Sequence, residues 1–185
     1  LSIAGGLMTP TAGRVIVEGG PKDAEDQLTL LQASAPALSD WDGDGDVDLI
    51  VGNIRGHVYL VLNEGTAKEP KFAAPARLDG VATPPGNAGP CVADWDLDGD
   101  LDLIVGGEEL LLLFRNEGAR RAPKFAKGEP LRVGGKEFRK GLRYKPFVSD
   151  WNGDGLPDLL IGACEFERRG AKAYGYVWVS LRKRL

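Results

Sequence analysis

Three acidic clusters, in which aspartates alternate with other residue types, are the residues of this chain best suited to chemistry. The clusters begin at Asp40, Asp94 and Asp150, so that successive clusters start 54 and 56 residues apart. Each follows the pattern D-x-[DN]-x-D-G-x-x-D. Oxygen ligands without His or Cys select a hard cation, and a flexible carboxylate-rich loop favours Ca²⁺ over Mg²⁺. The sequence therefore predicts about three calcium sites.

The spacing within each cluster predicts which atoms face the cation. Positions 1, 3, 5 and 9 supply side-chain oxygens, position 7 supplies a backbone carbonyl, and Gly at position 6 allows a sharp turn with positive φ. The predicted side-chain ligands are Asp40, Asp42, Asp44, Asp48, Asp94, Asp96, Asp98, Asp102, Asp150, Asn152, Asp154 and Asp158. The predicted carbonyl ligands are Asp46, Asp100 and Leu156.

The clusters have two other interpretations. An EF-hand loop needs Glu at position 12 followed by a helix, but Val51, Val105 and Ile161 stand there, each inside an apolar run. An acidic turn without metal is the second alternative. Carboxylates crowded into nine residues repel one another without a cation, and the pattern occurs three times, so calcium is favoured.

The similarity between the copies extends beyond the acidic clusters. Asn63-Glu64-Gly65 matches Asn116-Glu117-Gly118, and a Pro-Lys-Phe triplet follows at the same distance in both copies. Each unit of roughly 50 residues contains four short apolar or alternating segments separated by Gly, Pro, Asn and Asp. In the first unit these predict strands A, B, C and D at 36–41, 48–52, 57–62 and 72–78, and the same letters apply to the other units. A four-strand repeat of this size is typical of a β-propeller blade.

The fold class is therefore predicted to be all-β, built from propeller blades of four antiparallel strands. We predict a partial blade at 1–34 containing strands B to D, blades with calcium loops at 35–80 and 81–133, and a partial blade with a calcium loop at 134–185. Closed propellers have at least four blades. We therefore expect a fragment of a larger propeller, with the remaining blades supplied by the parent chain or by another copy.

Acidic and basic residues are unevenly distributed between the three clusters and the rest of the chain. The net charge is −4, yet outside the three clusters basic residues exceed acidic ones. Two cysteines, Cys91 and Cys164, form no metal motif, which leaves one bridge between neighbouring blades or two free thiols as alternatives. No apolar run is long enough to span a membrane.

These residues resemble the FG-GAP/VCBS repeat family, the blades of propellers similar to those of integrin α-subunits. The resemblance rests on the repeated acidic loop followed by an apolar strand ending in Gly52, Gly106 or Gly162. It covers roughly residues 35–181 and, loosely, 1–34. The resemblance implies that the loops between strands A and B bind Ca²⁺ through the twelve side chains named above. It also implies an extracellular location.

Binding partners are predicted on the face opposite the calcium loops. The connection from Gly162 to Gly175 is longer than its counterpart in the first blade, and the connection before the last blade is basic. This connection contains Arg132, Lys136, Arg139, Lys140, Arg143, Tyr144 and Lys145. An acidic polysaccharide or an extracellular protein suits such a face, whereas a solvated loop is the alternative. Nucleic acid is not expected.

A binding or adhesion module is the favoured function and a non-enzyme is expected. The alternatives are a propeller-type polysaccharide lyase and a purely structural spacer of a surface protein. His57 is the only histidine, and no nucleophile motif accompanies it. The tryptophan that follows the first Asp of each loop (Trp41, Trp95, Trp151) is expected to pack between blades.

Overall fold

The computed structural model describes residues 35–84, 86–166 and 173–183 and shows strands but no helix in these ranges. The all-β prediction is therefore confirmed. The partial blade predicted at 1–34 lies outside the described residues. No helix in the described ranges is long and apolar enough to cross a membrane.

The first sheet has four antiparallel strands in sequential order, as expected for a blade. They are β1 (Ala35–Ser39), β2 (Asp48–Gly52), β3 (His57–Val61) and β4 (Ala76–Ala82). The first three lie within one residue or two of the predicted strands. The fourth begins four residues later than predicted and ends beyond residue 80, the boundary predicted for this blade.

A side-chain turn explains the late start of β4. The Asn63 Oδ1 atom accepts hydrogen bonds from the backbone N–H groups of Gly65 (3.1 Å) and Lys71 (2.8 Å). Phe72 then forms only an isolated bridge with Asn63. Asn116 makes the same contacts with Gly118 and Lys124. The repeated Asn-Glu-Gly and Pro-Lys-Phe segments are therefore the two halves of a closed turn rather than the start of a strand.

The second sheet repeats this order, with a short fourth strand. It contains β5 (Gly89–Ala93), β6 (Asp102–Gly106), β7 (Leu111–Phe114) and β8 (Glu129–Pro130). A small hairpin of β9 (Arg132–Val133) and β10 (Lys136–Glu137) follows it. The sequence pattern did not predict this hairpin, because two-residue strands leave no periodic signal.

The third sheet contains three strands in the described ranges. They are β11 (Leu142–Ser149), β12 (Asp158–Phe166) and β13 (Ala173–Ser180). The long connection predicted between Gly162 and Gly175 is wrong at both of its ends. Here β12 and β13 continue pairing as far as Phe166 and Ala173, so that residues 163–166 and 173–174 extend the hairpin instead of forming a surface loop.

The sheets pack face to face, and the core lies between them. Ile50 and Val58 of the first sheet pack with Leu103 and Val105 of the second, and a second cluster joins the second sheet to the third. All five residues of β6 are buried because both faces of the middle sheet are covered, whereas burial alternates along β2. In the described ranges these blade-like sheets do not close into a ring.

Both cysteines are free thiols in this arrangement, which decides between the two alternatives. Cys91 is part of the core between the second and third sheets, and its burial raises the pKa of the thiol to about 11. Cys164 is half-buried, and its Sγ lies 3.5 Å from the Leu142 carbonyl oxygen.

In the first two sheets, the glycine that ends strand B sits against the neighbouring sheet. A Cβ atom on Gly52 would lie 2.2 Å from the Ala88 carbonyl oxygen, and one on Gly106 would lie 2.1 Å from the Tyr144 carbonyl oxygen. Real Cβ atoms do not approach backbone so closely, so only glycine permits this spacing between sheets. At Gly162, the same repeat position, the nearest contact would be an ordinary 3.6 Å.

Alanine substitution at this repeat position should therefore destabilise the second sheet much more than the third. Gly106→Ala is expected to lower the free energy of unfolding by about 1–3 kcal/mol because the added methyl group pushes the second and third sheets apart. Gly162→Ala serves as the matched control and should change it by less than about 1 kcal/mol. Urea unfolding of both variants measures the difference. Equal stability of the two variants would contradict the packing described here.

Candidate metal centre

The first acidic loop brings three carboxylates together between β1 and β2. Oxygen atoms of Asp40, Asp42 and Asp48 all lie within 4.8 Å of one another. Ca²⁺–oxygen distances are about 2.4 Å, so ligands on opposite sides of one ion are up to about 4.8 Å apart. These three predicted ligands therefore fit a single calcium ion. Asp44 and Asp46 are not part of this group.

The second loop, between β5 and β6, forms a comparable group from a different subset. Oxygen atoms of Asp94, Asp96 and Asp98 lie within 4.8 Å of one another. Asp102, the predicted fourth side-chain ligand, is buried beside this group but is not a member of it. Three of the four predicted side-chain ligands are thus placed together in each of the first two loops.

The third loop does not form such a group of carboxylates in the described residues. Asn152 replaces the aspartate at position 3, and its Nδ2 atom donates a hydrogen bond to Asp154 Oδ2 (3.0 Å). The Asp150 carboxylate accepts backbone hydrogen bonds from Gly153, Asp154 and Gly155. Asp94 accepts equivalent backbone bonds from Asp98 and Gly99 in the second loop, so the third loop differs in lacking a carboxylate at position 3.

Side chains at positions 1, 3 and 5 shape the loops by accepting backbone hydrogen bonds from residues further along. The carboxylate at position 5 receives the N–H of position 7 in all three loops. These N–H donors belong to Asp46, Asp100 and Leu156, the residues predicted to offer carbonyl ligands. The Leu156 side chain is also buried, so this residue packs into the fold in addition to any role of its carbonyl group.

Two positions of each loop adopt positive φ. Position 6 does so as predicted, with Gly45 and Gly99 both at 98°. Position 4 does so as well, and here the second loop has Leu97 at 65° where the other loops have glycine. The left-handed conformation costs a non-glycine residue roughly 1–2 kcal/mol. The sequence pattern did not reveal this requirement because leucine gives no turn signal.

The aspartate at position 9 has a structural role that sequence reasoning did not identify. Asp102 is 1% exposed, and its Oδ2 and Oδ1 atoms accept the backbone N–H groups of Trp95 (3.0 Å) and Asn116 (2.8 Å). Asp48 and Asp158 make the equivalent pair of bonds. Each carboxylate therefore ties together the ends of strands A, B and C of its sheet.

Burial has the largest effect on the pKa of Asp102, and the neighbouring carboxylates of the loop add to it. Burial raises the pKa of its carboxyl group, the two backbone hydrogen bonds from Asn116 and Trp95 lower it, and the nearby charges of Asp96 and Asp98 raise it further. A divalent cation among these groups would favour their ionised forms. The donor set contains only oxygen atoms, which fits a hard cation such as Ca²⁺ better than a metal that prefers His or Cys ligands.

Arginines from the following sheet contact the loops of the preceding one, and these residues were missed by sequence reasoning. Arg120 donates to the carbonyl oxygens of Asp40 and Trp41, and its Nη2 atom lies 3.6 Å from Asp40 Oδ2. Arg182 donates to the Trp95 carbonyl and covers the indole ring. The available signal was the placement of Arg120 in a C–D connection, which shares a face with the A–B loops.

The loop tryptophans are not equivalent. Trp41 is 2% exposed and packs near Phe125 of the second sheet, whereas Trp151 is 63% exposed. Trp95 is half-buried beneath Arg182. The expected packing between blades is thus seen for Trp41 and Trp95, which have a following sheet. Trp151 has none in the described residues.

The basic face predicted before the last blade is only partly available. Tyr144 was predicted to lie on it but is buried, because its ring packs against Phe138. Arg143 pairs with Glu108 at 3.1 Å, and Arg139 pairs with Glu137 at 2.8 Å. In the other connection predicted to lie on this face, from Gly162 to Gly175, residues 167–172 lie outside the described residues.

The role of position 9 can be separated from metal binding by a matched pair of variants. Asp102→Asn should lower the free energy of unfolding by about 1–3 kcal/mol, measured by urea unfolding in excess EDTA, because its amide group can accept only one of the two buried N–H donors. Asp100→Asn, two residues earlier, removes the same charge and should change stability by less than about 0.5 kcal/mol. A loss for Asp102→Asn that occurs only when calcium is present would contradict this structural role.

Comparison with known proteins agrees with the repeat structure. The model of the FG-GAP-like repeat matches residues 40–105 and 94–161, which together cover more than half of the chain. Cartilage acidic protein 1 of Homo sapiens is 28% identical over 143 residues, covering 68% of this chain and 19% of that protein. The Mus musculus protein of the same name is 27% identical over 143 residues, with 68% and 20% covered. The chain spans about a fifth of the length of these relatives. On the extent of the two repeat matches, the chain belongs to the FG-GAP-like repeat family.

Proposed function

We propose that this chain is a calcium-stabilised, extracellular β-propeller module that binds a protein or a polysaccharide and does not catalyse a reaction. The observation that carries the proposal is the convergence of three carboxylates in each of the first two loops. All donors are oxygen atoms, and the loops join adjacent strands of one sheet. A cation bound there would hold the turn from strand A to strand B.

The same loops support an extracellular location. Each of the two groups takes its carboxylates from one short loop, and only Asp48 among them is buried. Sites with dissociation constants of about 10⁻⁴–10⁻³ M are found in extracellular modules, where calcium is abundant. The third loop, in which Asn152 leaves one carboxylate fewer, is expected to bind calcium more weakly than the other two.

A non-catalytic role is favoured by where the reactive side chains lie. His57 begins β3, with its ring 6.5 Å from that of Tyr59. The Cys91 thiol is buried with a raised pKa, which makes it a poor nucleophile. The most closely grouped carboxylates are those of the calcium loops. Binding of an extracellular protein or an acidic polysaccharide therefore agrees better with the surface than hydrolysis or elimination.

The third sheet exposes an apolar face that suits another blade as partner. Phe147 is 62% exposed and Val179 is 47% exposed, and both lie across from Leu160 on one face of the sheet. Their counterparts in the second sheet, Cys91 and Leu113, are buried against the third sheet. We expect this face to be covered by a further blade, contributed by a longer chain or by another copy.

Calcium binding is tested by thermal unfolding and calorimetric titration. Millimolar Ca²⁺ is expected to raise the melting temperature relative to excess EDTA, because a ligand that binds only the native state stabilises it by mass action. Asp98→Asn should shrink this shift and remove one binding event, since it keeps the acceptor for the Asp100 N–H but loses a charge. Asp79→Asn on β4, outside the loops, is the control. An identical melting temperature with and without calcium would refute the proposal.

Association through the exposed face is tested by sedimentation velocity over a range of concentrations. The chain is expected to self-associate, and Phe147→Ser should shift it towards the monomer by removing apolar area from the contact. Tyr176→Ser, which removes an aromatic ring of 43% exposure from the other face of the same sheet, is the matched control. A protein that stays monomeric at all concentrations would contradict assembly with another copy.

A further inference from the structure

We propose that a crevice between the β9–β10 hairpin and strand β13 binds an acidic sugar unit of a polysaccharide. The inference rests on the proposed function as a binding module and names its site and ligand class. The crevice has a volume of about 310 Å³ and is lined by residues of the hairpin, of the segment that follows it, and of β12 and β13. No residue of the three acidic loops lines it.

Uncompensated positive charge is the first feature of the crevice. Lys136, Arg139 and Lys140 line it within five residues of chain. Arg139 donates from Nε (3.0 Å) and Nη2 (2.8 Å) to Glu137 Oε2, so its charge is largely balanced. Lys136 and Lys140 make no ion pair with the other residues that the structure describes. Two ammonium groups are therefore left to meet a carboxylate or sulfate group.

An aromatic wall is the second feature. Trp178 is half-buried on β13, and Phe138, which is buried behind it, holds the indole ring at a centroid distance of 6.2 Å in an edge-on arrangement. The Lys140 Nζ atom lies 4.1 Å from the centroid of the Trp178 ring. The crevice thus places cations beside an apolar ring. A sugar acid presents the same pairing, with an apolar ring face next to an anionic group.

The size and construction of the crevice favour a sugar over an acidic peptide. Ligand pockets range over about 300–1,000 Å³, and this one is at the lower end, enough for a small ring and its acid group. An extended peptide would need a longer groove and would gain most from backbone hydrogen bonds to a free strand edge. In the crevice, the charged residues instead come from the β9–β10 hairpin and the segment after it, and they lie opposite strand β13.

The hairpin that builds the crevice is held by the core. Leu131, just before β9, donates its N–H to the Leu111 carbonyl oxygen (2.8 Å), and Phe138, just after β10, donates to the Leu131 carbonyl oxygen (3.3 Å). Both side chains are buried between the second and third sheets. The exposed lysines on either side of Phe138 are therefore presented by a fixed backbone, which reduces the entropy lost on binding.

Isothermal titration with three oligosaccharides of equal length tests the inference. The probes are an oligogalacturonate, a sulfated oligosaccharide and a neutral malto-oligosaccharide, at about 0.15 M ionic strength. Saturable binding of one or both acidic probes and none of the neutral one is expected, and the preferred probe identifies the anionic group. The double variant Lys136→Gln/Lys140→Gln should weaken binding roughly tenfold or more.

The matched control is Lys124→Gln/Lys127→Gln, which removes the same charge from two exposed lysines that do not line the crevice. It should bind the acidic probe within about twofold of the parent. Equal losses in both double variants would show unspecific charge attraction and overturn the inference. Absence of binding to both acidic probes would overturn it too, as would an oligoglutamate peptide that binds the crevice more tightly than either sugar.

Thermal unfolding with and without calcium, measured on the same samples, separates this inference from the proposed function. A calcium-dependent shift without acidic-sugar binding leaves the calcium module intact and overturns only the crevice. Sugar binding that is lost in the crevice variant supports the inference even in a sample that shows no calcium shift. In that case the calcium part of the proposed function is the part that fails.

Discussion

The structure of each sheet depends on one buried carboxylate. The aspartate that ends the acidic loop is the first residue of strand B, and its two oxygen atoms accept N–H groups from residues that follow strands A and C. A buried acceptor engaged on both oxygens is costly to remove, because each donor would be left without a partner in an apolar environment. The same residue borders the exposed aspartates of the loop. In the first sheet this side chain, Asp48, is also a member of the carboxylate group that fits a cation.

Packing between sheets adds a second constraint, which acts at the opposite end of strand B. Gly52 and Gly106 let the backbone of the next sheet approach to a distance that no other residue would permit. Strand B thus begins with a residue that organises its own sheet and ends with one that sets the spacing to the neighbour. The apolar residues between these ends account for the continuous burial of β6, which has a sheet on either side.

Much of this organisation could be predicted from the sequence. The repeat, the loop pattern and the position of strands A to C follow from residue types at fixed spacing, because turns and alternating strands are determined locally. The start of β4 could not be predicted, since the Asn63 side chain closes a turn through N–H groups eight residues away. Burial of Tyr144 and pairing of β12 with β13 as far as Phe166 also depend on contacts between distant segments.

In the candidate site too, some features could be predicted from the sequence and others depend on the folded structure. The clustering of Asp40 with Asp42, and of Asp94 with Asp96, follows from spacing in the chain. That Asp48 joins the first group whereas Asp98 joins the second does not follow from spacing, because it depends on how each loop is folded. The positive φ of Leu97 and the arginines that reach across from the next sheet are likewise set by tertiary structure.

The contacts of Arg120 and Arg182 all run in the same direction along the chain. Each contact runs from a later sheet back to the loop of an earlier one: Arg120 reaches the loop at Asp40, and Arg182 reaches the loop at Trp95. During synthesis on the ribosome, the earlier loop emerges well before the arginine that fastens it. A newly made sheet would therefore carry an unfastened loop until its successor has been translated, and the loops would mature one after another in the order of synthesis.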